Sequence, residues 1–390
     1  MNVTATYRWG THRVVPPEET LKRVAPHLST CGITRYTSVT HLDSLGIPVY
    51  CSIRPGGYVL QVSNGKGLTD AEAKASAVME ALELFHAENP LPNRLWRTCL
   101  EELQAQEQNL LLPEELDGFR GGYLCDRFRC DWIEGKDLHS GKKVWAPASA
   151  VYFSCRPTLH VTSTNGLASG NHIAEATLHA LYELIERDAM SRLSVDGKLK
   201  ILARAQIIDT STVDTPELRG IIDRVEAQDT KVVLLWLQSC VPLHTFWALF
   251  LNKHSHVAGT TLNVGWGTHL DKRIAAARAL TEAAQSRLTF IHGAREDALI
   301  KPVYNATDVQ NSPAYRFFDR LKANVGWASL DERETLPVTD DLEECLEKLV
   351  VGLVRAGHDR LALFDLSRPH IGVPVVKVLA PSLQFNRKLF

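Results

Sequence analysis

The strongest constraint on this chain is a feature that occurs three times. A stretch of helical pattern carries a carboxylate, followed three residues on by a second carboxylate or an amide. Ala77–Glu83 reads A-V-M-E-A-L-E, Ala180–Arg187 reads A-L-Y-E-L-I-E-R, and Ala279–Arg287 reads A-L-T-E-A-A-Q-S-R. Residues three and four apart share one helix face. At about 100° per residue, Ser76, Glu80 and Glu83 fall within roughly 60° of one another, and Asn171, Glu175, Glu183 and Glu186 span about 120°. Carboxylates so placed repel each other, by on the order of a few tenths of a kcal/mol when exposed and more when buried. An E-x-x-E pattern usually marks a solvated face, but these flanks are apolar. Ala73, Ala77, Met79, Leu82 and Phe85 surround the first pair, and Leu178, Leu181, Leu184 and Ile185 the second. Acidic pairs on separate helices make sense if they converge on divalent cations. Mg²⁺ takes oxygen ligands, commonly one or two carboxylates plus substrate phosphates, and arginines hold phosphates. Spacing alone leaves a nucleotide site and a metal-dependent hydrolase equally open.

Composition narrows the setting. The 390 residues are 45% hydrophobic and 23% charged, and 43 Lys+Arg balance 45 Asp+Glu. A duplex nucleic-acid binder would show a basic excess, so none is expected. No stretch approaches the roughly 18 apolar residues of a membrane span. Met1–Thr20 carries Arg8, His12 and Arg13 without the apolar run of a secretory signal, which points to the cytoplasm. The eight cysteines include no C-x-x-C, and the closest pair, Cys125 and Cys130, has no partner pair at zinc spacing.

The local patterns place the motifs. Strands are predicted at Gly46–Ile53 and Tyr58–Ser63, the second ended by a turn at Asn64-Gly65. Thr69 and Glu72 form a capping box that opens a helix to about Glu88, where Asn89-Pro90 stops it. Leu91–Leu116 reads as loop and partial helix, and Cys130–Phe153 as a hairpin. Further helices are predicted at about 172–193, 272–290 and 342–356. Strands are predicted at Lys231–Leu237, His244–Asn252, Leu361–Asp365 and Val373–Leu379. Strands and helices mix without steady βαβ alternation, which predicts an α+β fold with largely antiparallel sheet.

At these motifs the sequence resembles the YcaO superfamily. Thr164–Ala189 (T-N-G-L-A-S-G-N-H-I-A-E-A-T-L-H-A-L-Y-E-L-I-E-R-D-A) is similar to its central signature. Gly65–Glu83 resembles its upstream motif and Arg278–Arg287 its downstream one. Gly10–Thr20 (G-T-H-R-V-V-P-P-E-E-T) and Asp131–Gly141 (D-W-I-E-G-K-D-L-H-S-G) extend the likeness over most of the chain, in order. The resemblance implies a YcaO-type fold, one catalytic domain over residues 1–390 with core motifs at about 60–300, and an ATP site between helices. It implies an enzyme that uses ATP and Mg²⁺ to phosphorylate a backbone amide oxygen of a ribosomal precursor peptide. A Cys, Ser or Thr side chain then gives an azoline, sulfide a thioamide, or an amine an amidine.

By the same resemblance Glu80, Glu83, Glu183 and Glu186 are the Mg²⁺ ligands. Ser76, Asn171 and Glu175 contact the nucleotide and Arg187 a phosphate. Arg287 is taken as the second phosphate arginine, with Arg278 the competitor. Arg13 and Thr20 sit where the family has further nucleotide contacts. The chain as given ends A-P-S-L-Q-F-N-R-K-L-F, without the P-x-P-x-P tail of many azoline-forming members. That ending, Gly10–Thr20 and Thr34–Val49 are similar to the group that works with a TfuA-like partner, so thioamidation is favoured and azoline formation is the runner-up. A homodimer is compatible with the resemblance.

Other candidates are weaker. Lys66 in N-G-K-G fails the Walker pattern, since Leu60 replaces its first glycine and Gly67 its Ser/Thr, yet it stands where it can touch phosphate. His179 reads as a helical His packed beside the site before it reads as a general base. Cys31 and Cys240 have no neighbours that mark a reactive thiol. A non-catalytic ATP-binding scaffold and a Mg²⁺-dependent phosphohydrolase are the readings from other classes.

Overall fold

In a computed structural model, which describes residues 3–7, 10–121, 125–195, 198–255, 258–295 and 312–387, the chain forms three main antiparallel sheets with helices packed on them. Helix α1 (Pro17–Val24) precedes a sheet of β1 (Arg35–Ser38), β2 (Val49–Ile53) and β3 (Val62–Lys66), from which α2 (Asp70–Glu88) departs. The second sheet begins with β4 (Leu95–Thr98), then, after α3 (Leu100–Ala105), β5 (Cys130–Asp137) and β6 (Lys143–Pro147). The short α4 (Ala148–Val151) leads to β7 (Leu167–Ser169) and α5 (Ile173–Ser191). A hairpin of β8 (Ser194–Val195) and β9 (Lys198–Leu199) and helix α6 (Ile201–Arg204) lead to the third sheet. It runs β10 (Ala205–Ile208), β11 (Thr230–Leu237), β12 (His244–Asn252) and β13 (Leu262–His269). Helices α7 (Pro216–Glu226) and α8 (Ala258–Thr261) lie in its connections, and α9 (Lys272–His292) follows it. After α10 (Pro313–Asp319) and α11 (Leu342–Arg355), β14 (Ala362–Asp365) and β15 (Val375–Leu379) return to the second sheet between β5 and β7. Every pairing between these strands is antiparallel, which is the α+β class that the sequence predicts.

The three acidic helices each follow a strand and fold back close to it: β3–α2, β7–α5 and β13–α9. Glycines permit the approach. A Cβ on Gly65 would stand 1.9 Å from the backbone nitrogen of Ala77, and one on Gly265 would stand 2.2 Å from that of Ala283. Asn64-Gly65 is therefore not a turn. It lies inside β3, and its glycine serves helix docking rather than chain reversal. Each helix buries its other faces in a separate apolar cluster: α2 among Ile33, Ile133 and Phe364, α5 among Leu349 and Val376, α9 among Leu234 and Phe246.

Other expectations shift at their edges. The helix at 70–88, the hairpin and the strands β11, β12, β14 and β15 fall close to where the patterns predict them. Residues 54–61 bend instead of extending β3 to Tyr58, because buried Glu88 binds Arg54 at 2.6 Å and accepts the Val59 N–H at 3.0 Å. Strands β1, β4, β7, β8, β9, β10 and β13 escape the pattern reading. Arg8 and the closing Lys388, Leu389 and Phe390 lie outside the described residues. Among the described residues no helix is long and apolar enough to cross a membrane.

The Gly65→Ala variant is expected to lose about 1–3 kcal/mol of stability, since backbone must move to admit a methyl group. Gly220→Ala in α7, where an added Cβ meets nothing within 4 Å, gains about 0.5–1 kcal/mol. Denaturant melts of the two variants check the contrast.

Candidate active site

Local capping fixes how the acidic helices start. Thr69 accepts from the Glu72 N–H at 3.2 Å, and Glu72 accepts from the Leu68 N–H at 2.6 Å and the Tyr7 hydroxyl at 2.8 Å. His172 caps α5 by accepting from Ala174 at 3.2 Å, and Asp271 caps α9 by accepting from Arg273 at 2.8 Å. The three helices then line one cavity of about 790 Å³. Ser76, Glu80 and Glu83 reach it from α2, and Glu175, Glu183, Glu186 and Arg187 from α5. Arg13, Thr20 and Asn171 come from the segments ahead of α1 and α5 or from α1 itself.

Glu175 ties the N-terminal segment to this wall. Its Oε1 accepts from Arg13 at 3.0 Å and from the backbone and side-chain nitrogens of Asn171 at 3.1 and 3.2 Å. Its Oε2 accepts from the Val14 N–H at 2.8 Å, and Thr20 donates to Asn171 at 3.0 Å. His179 lies one turn along α5, 3.5 Å from an Arg13 nitrogen. Burial, reinforced by Arg278 and Arg13, holds the His179 pKa well below its ordinary value, so the ring is neutral.

Three of the four predicted ligands, Glu83, Glu183 and Glu186, carry raised pKa values. Burial pushes Glu83 up to about 8, despite hydrogen bonds to its Oε1 from the Ser169 N–H at 2.8 Å and hydroxyl at 2.6 Å, and the charges of Glu80 and Glu183 add to the rise. Burial and Glu282 push Glu186 up to about 7 against Arg278, Arg187 and Lys66. Burial raises Glu183 too, opposed by Arg187, 3.5 Å away, and Lys377. Carboxyls shifted by burial and by neighbouring like charges in a cleft mark a candidate functional site. The donors are all hard oxygens, which suits Mg²⁺. Among the described residues no group of three His, Cys, Asp or Glu stands ready to hold an ion unaided.

Arg287 is not brought to the cavity. Its guanidinium binds Asp43, between β1 and β2, at 2.9 Å and the Thr260 carbonyl of α8 at 2.6 Å. Arg278, the competitor, lines the cavity, and its Nε has no hydrogen-bond partner among the described residues. The helix itself supplies the reason, since nine residues turn α9 by about 180° and put the two arginines on opposite faces. Sequence reasoning named Glu282 in the third acidic motif without giving it a role, and passed over Lys377. Glu282, one turn after Arg278, faces the same cavity and accepts from Lys66 Nζ. Lys377 is buried in β15 and donates to the carbonyls of Ser163 and Asn165 at 2.6 and 2.7 Å, behind a loop that lines the cavity. The one signal for it is a lone lysine within the apolar run V-V-K-V-L.

Comparison with known proteins adds the following. Residues 64–384 match the family model described as YcaO cyclodehydratase, ATP- and Mg²⁺-binding. A protein of Methanothermobacter thermautotrophicus is 35% identical over 95% of each chain. A protein of Rhizobium leguminosarum bv. trifolii, described by its position in the tfuA 3′ region, is 31% identical over 96% of this chain and 89% of that one. Among solved structures, a YcaO of Methanopyrus kandleri bound with AMPPCP and Mg²⁺ shares the fold. Its TM-score is 0.75 at 24% identity, over 98% of this chain and 95% of that one.

The raised carboxyls make stability depend on pH. Glu83 holds a proton in the folded state up to about 8, against an ordinary value of 4.5. The stability this contributes is full below the ordinary value and is lost as pH rises through the folded one. Urea melts of the protein alone are therefore expected to show stability falling from about pH 4.5 to about pH 8. Glu83→Gln, which copies the protonated form, flattens that decline.

Proposed function

The chain belongs to the YcaO family, and from that premise we propose that it acts as one catalytic unit, using ATP and Mg²⁺ to activate a backbone amide of a ribosomal precursor peptide in the cytoplasm, with a thioamide as product and a TfuA-like protein as partner. The observation that carries the reading is the meeting of two carboxylate pairs, Glu80/Glu83 and Glu183/Glu186, with Arg187 and Arg278 around one cavity. The relative in the tfuA 3′ region supports the partner.

In this reading Glu80, Glu83, Glu183 and Glu186 hold Mg²⁺, and Ser76, Asn171, Glu175, Arg13 and Thr20 orient the nucleotide. ATP supplies the phosphoryl group that turns a poor amide oxygen into a leaving group, and Mg²⁺ neutralises its phosphates. Arg187 and Arg278 take the charge that grows on the transferred phosphoryl, since such transfers need positioning and neutralisation more than covalent help. The amide oxygen bonds to the γ-phosphorus as the bond to ADP breaks. Sulfide then adds at the amide carbon and phosphate departs, carrying off the original oxygen. Neutral His179 holds Arg13 in place rather than taking a proton.

Azoline formation is the second reading, because the matching family description names a cyclodehydratase. A scaffold role is disfavoured by the completeness of the acidic set.

ATP·Mg²⁺ is expected to bind the native protein at micromolar concentration by calorimetry, and Glu186→Gln is expected to weaken it at least tenfold, about 1.4 kcal/mol. No loss in the variant would remove the glutamates from the nucleotide's metal. Mass spectrometry of the precursor peptide with the TfuA-like protein, ATP and sulfide then reads the product: exchange of one oxygen for sulfur supports the thioamide, and loss of one water per site supports the azoline.

A further inference from the structure

Lys66 has a place in this cavity that the proposed chemistry leaves unexplained. It is the last residue of β3 and sits between two glycines pressed against α2. A Cβ on Gly65 would stand 1.9 Å from the Ala77 nitrogen, and one on Gly67 would stand 2.7 Å from the Ala73 nitrogen. The backbone there cannot retreat, so any movement belongs to the side chain. That side chain crosses the cavity to α9 and pairs with Glu282, with 16% of the lysine and 20% of the glutamate side chain exposed. Both residues line the cavity that also holds Glu80, Glu83, Glu183, Glu186, Arg187 and Arg278. Glu282 is thus a carboxylate of the group with a lysine ammonium already on it. An ammonium on a four-carbon stem carries three donors and swings freely, unlike a guanidinium fork.

We propose that Lys66 is an internal competitor for the divalent cation. Ammonium and metal contend for Glu282, so a bare cation is held weakly. A cation arriving with a nucleotide is held strongly, because the phosphates accept Lys66 when Glu282 is given up. The lysine thereby couples the two cofactors: metal affinity is low until phosphate is present to take the displaced charge. The arrangement keeps the carboxylate cavity from filling with free metal, which would block the nucleotide's own. The proposal rests on the cavity being the nucleotide site.

Two titrations on the full chain test it. Mn²⁺ alone, followed by electron paramagnetic resonance, is expected to bind Lys66→Met about tenfold more tightly than native protein, because a like charge has left the carboxylates. Lys66→Arg, which keeps the charge, binds as native does. In a Glu282→Gln background the gain from Lys66→Met disappears. AMPPCP·Mg²⁺, followed by calorimetry, is expected to bind Lys66→Met more weakly than native, opposite in sign to the Mn²⁺ result. A purely structural lysine would weaken both. Unchanged or weaker Mn²⁺ binding by Lys66→Met with native circular dichroism overturns the proposal, as does a gain that survives Glu282→Gln. If Lys66→Met does not fold, Lys66→Gln carries the same expectation and the same refutation. Failure of AMPPCP·Mg²⁺ to bind native protein would instead sink the nucleotide reading, and the Mn²⁺ comparison stands apart from it.

Discussion

Mutual repulsion among carboxylates drawn from α2, α5 and α9 is the interaction around which the rest of this structure is arranged. Glu80, Glu83, Glu183, Glu186 and Glu282 all line one cavity, and burial raises the pKa of Glu83, Glu183 and Glu186. Unopposed, such a set would push the helices apart. The chain answers from several directions. Ser169 donates twice to Glu83, Arg187 sits one turn along from Glu183, Lys66 reaches over from β3, and Lys377 supports the loop behind. None of these neutralises the set.

Rigid backbone makes that tension sustainable. Each acidic helix rests on a strand or loop glycine so closely that no side chain fits between, and each is buried on its far side in an apolar cluster of its own. The helices are therefore held by packing, and their charged faces are free to be electrostatically unfavourable. This is the usual division in enzymes, where the core supplies the stability that the site spends.

Much of this was legible in the residues. Helical periodicity put Ser76, Glu80 and Glu83 on one face, and the structure lines the cavity with all three. The Thr69–Glu72 box set the first turn of α2. The sequence reading took Arg287 over Arg278; nine residues put the two on opposite faces of α9, but which face meets the cavity depends on what packs against that helix. The errors share a cause. Asn64-Gly65 carries a turn signal in any local reading, and only the helix packed across it shows why a glycine is needed there. Strand β13 hides because its alternate positions are glycines, Gly265 and Gly267, that serve α9 instead of β-propensity. Lys66 with Glu282, and Lys377 with Ser163, are meetings across more than 200 residues, and no local pattern encodes them.

The Glu175 network bears on the order in which this protein can be completed. Arg13 and Val14 leave the ribosome some 160 residues ahead of the carboxylate they bind. Chains grow from the N-terminus at about 5–20 residues per second. That segment therefore waits, unsatisfied, for at least several seconds, and Lys66 waits longer still for Glu282. Assembly of this cavity is a late event in the life of each nascent chain.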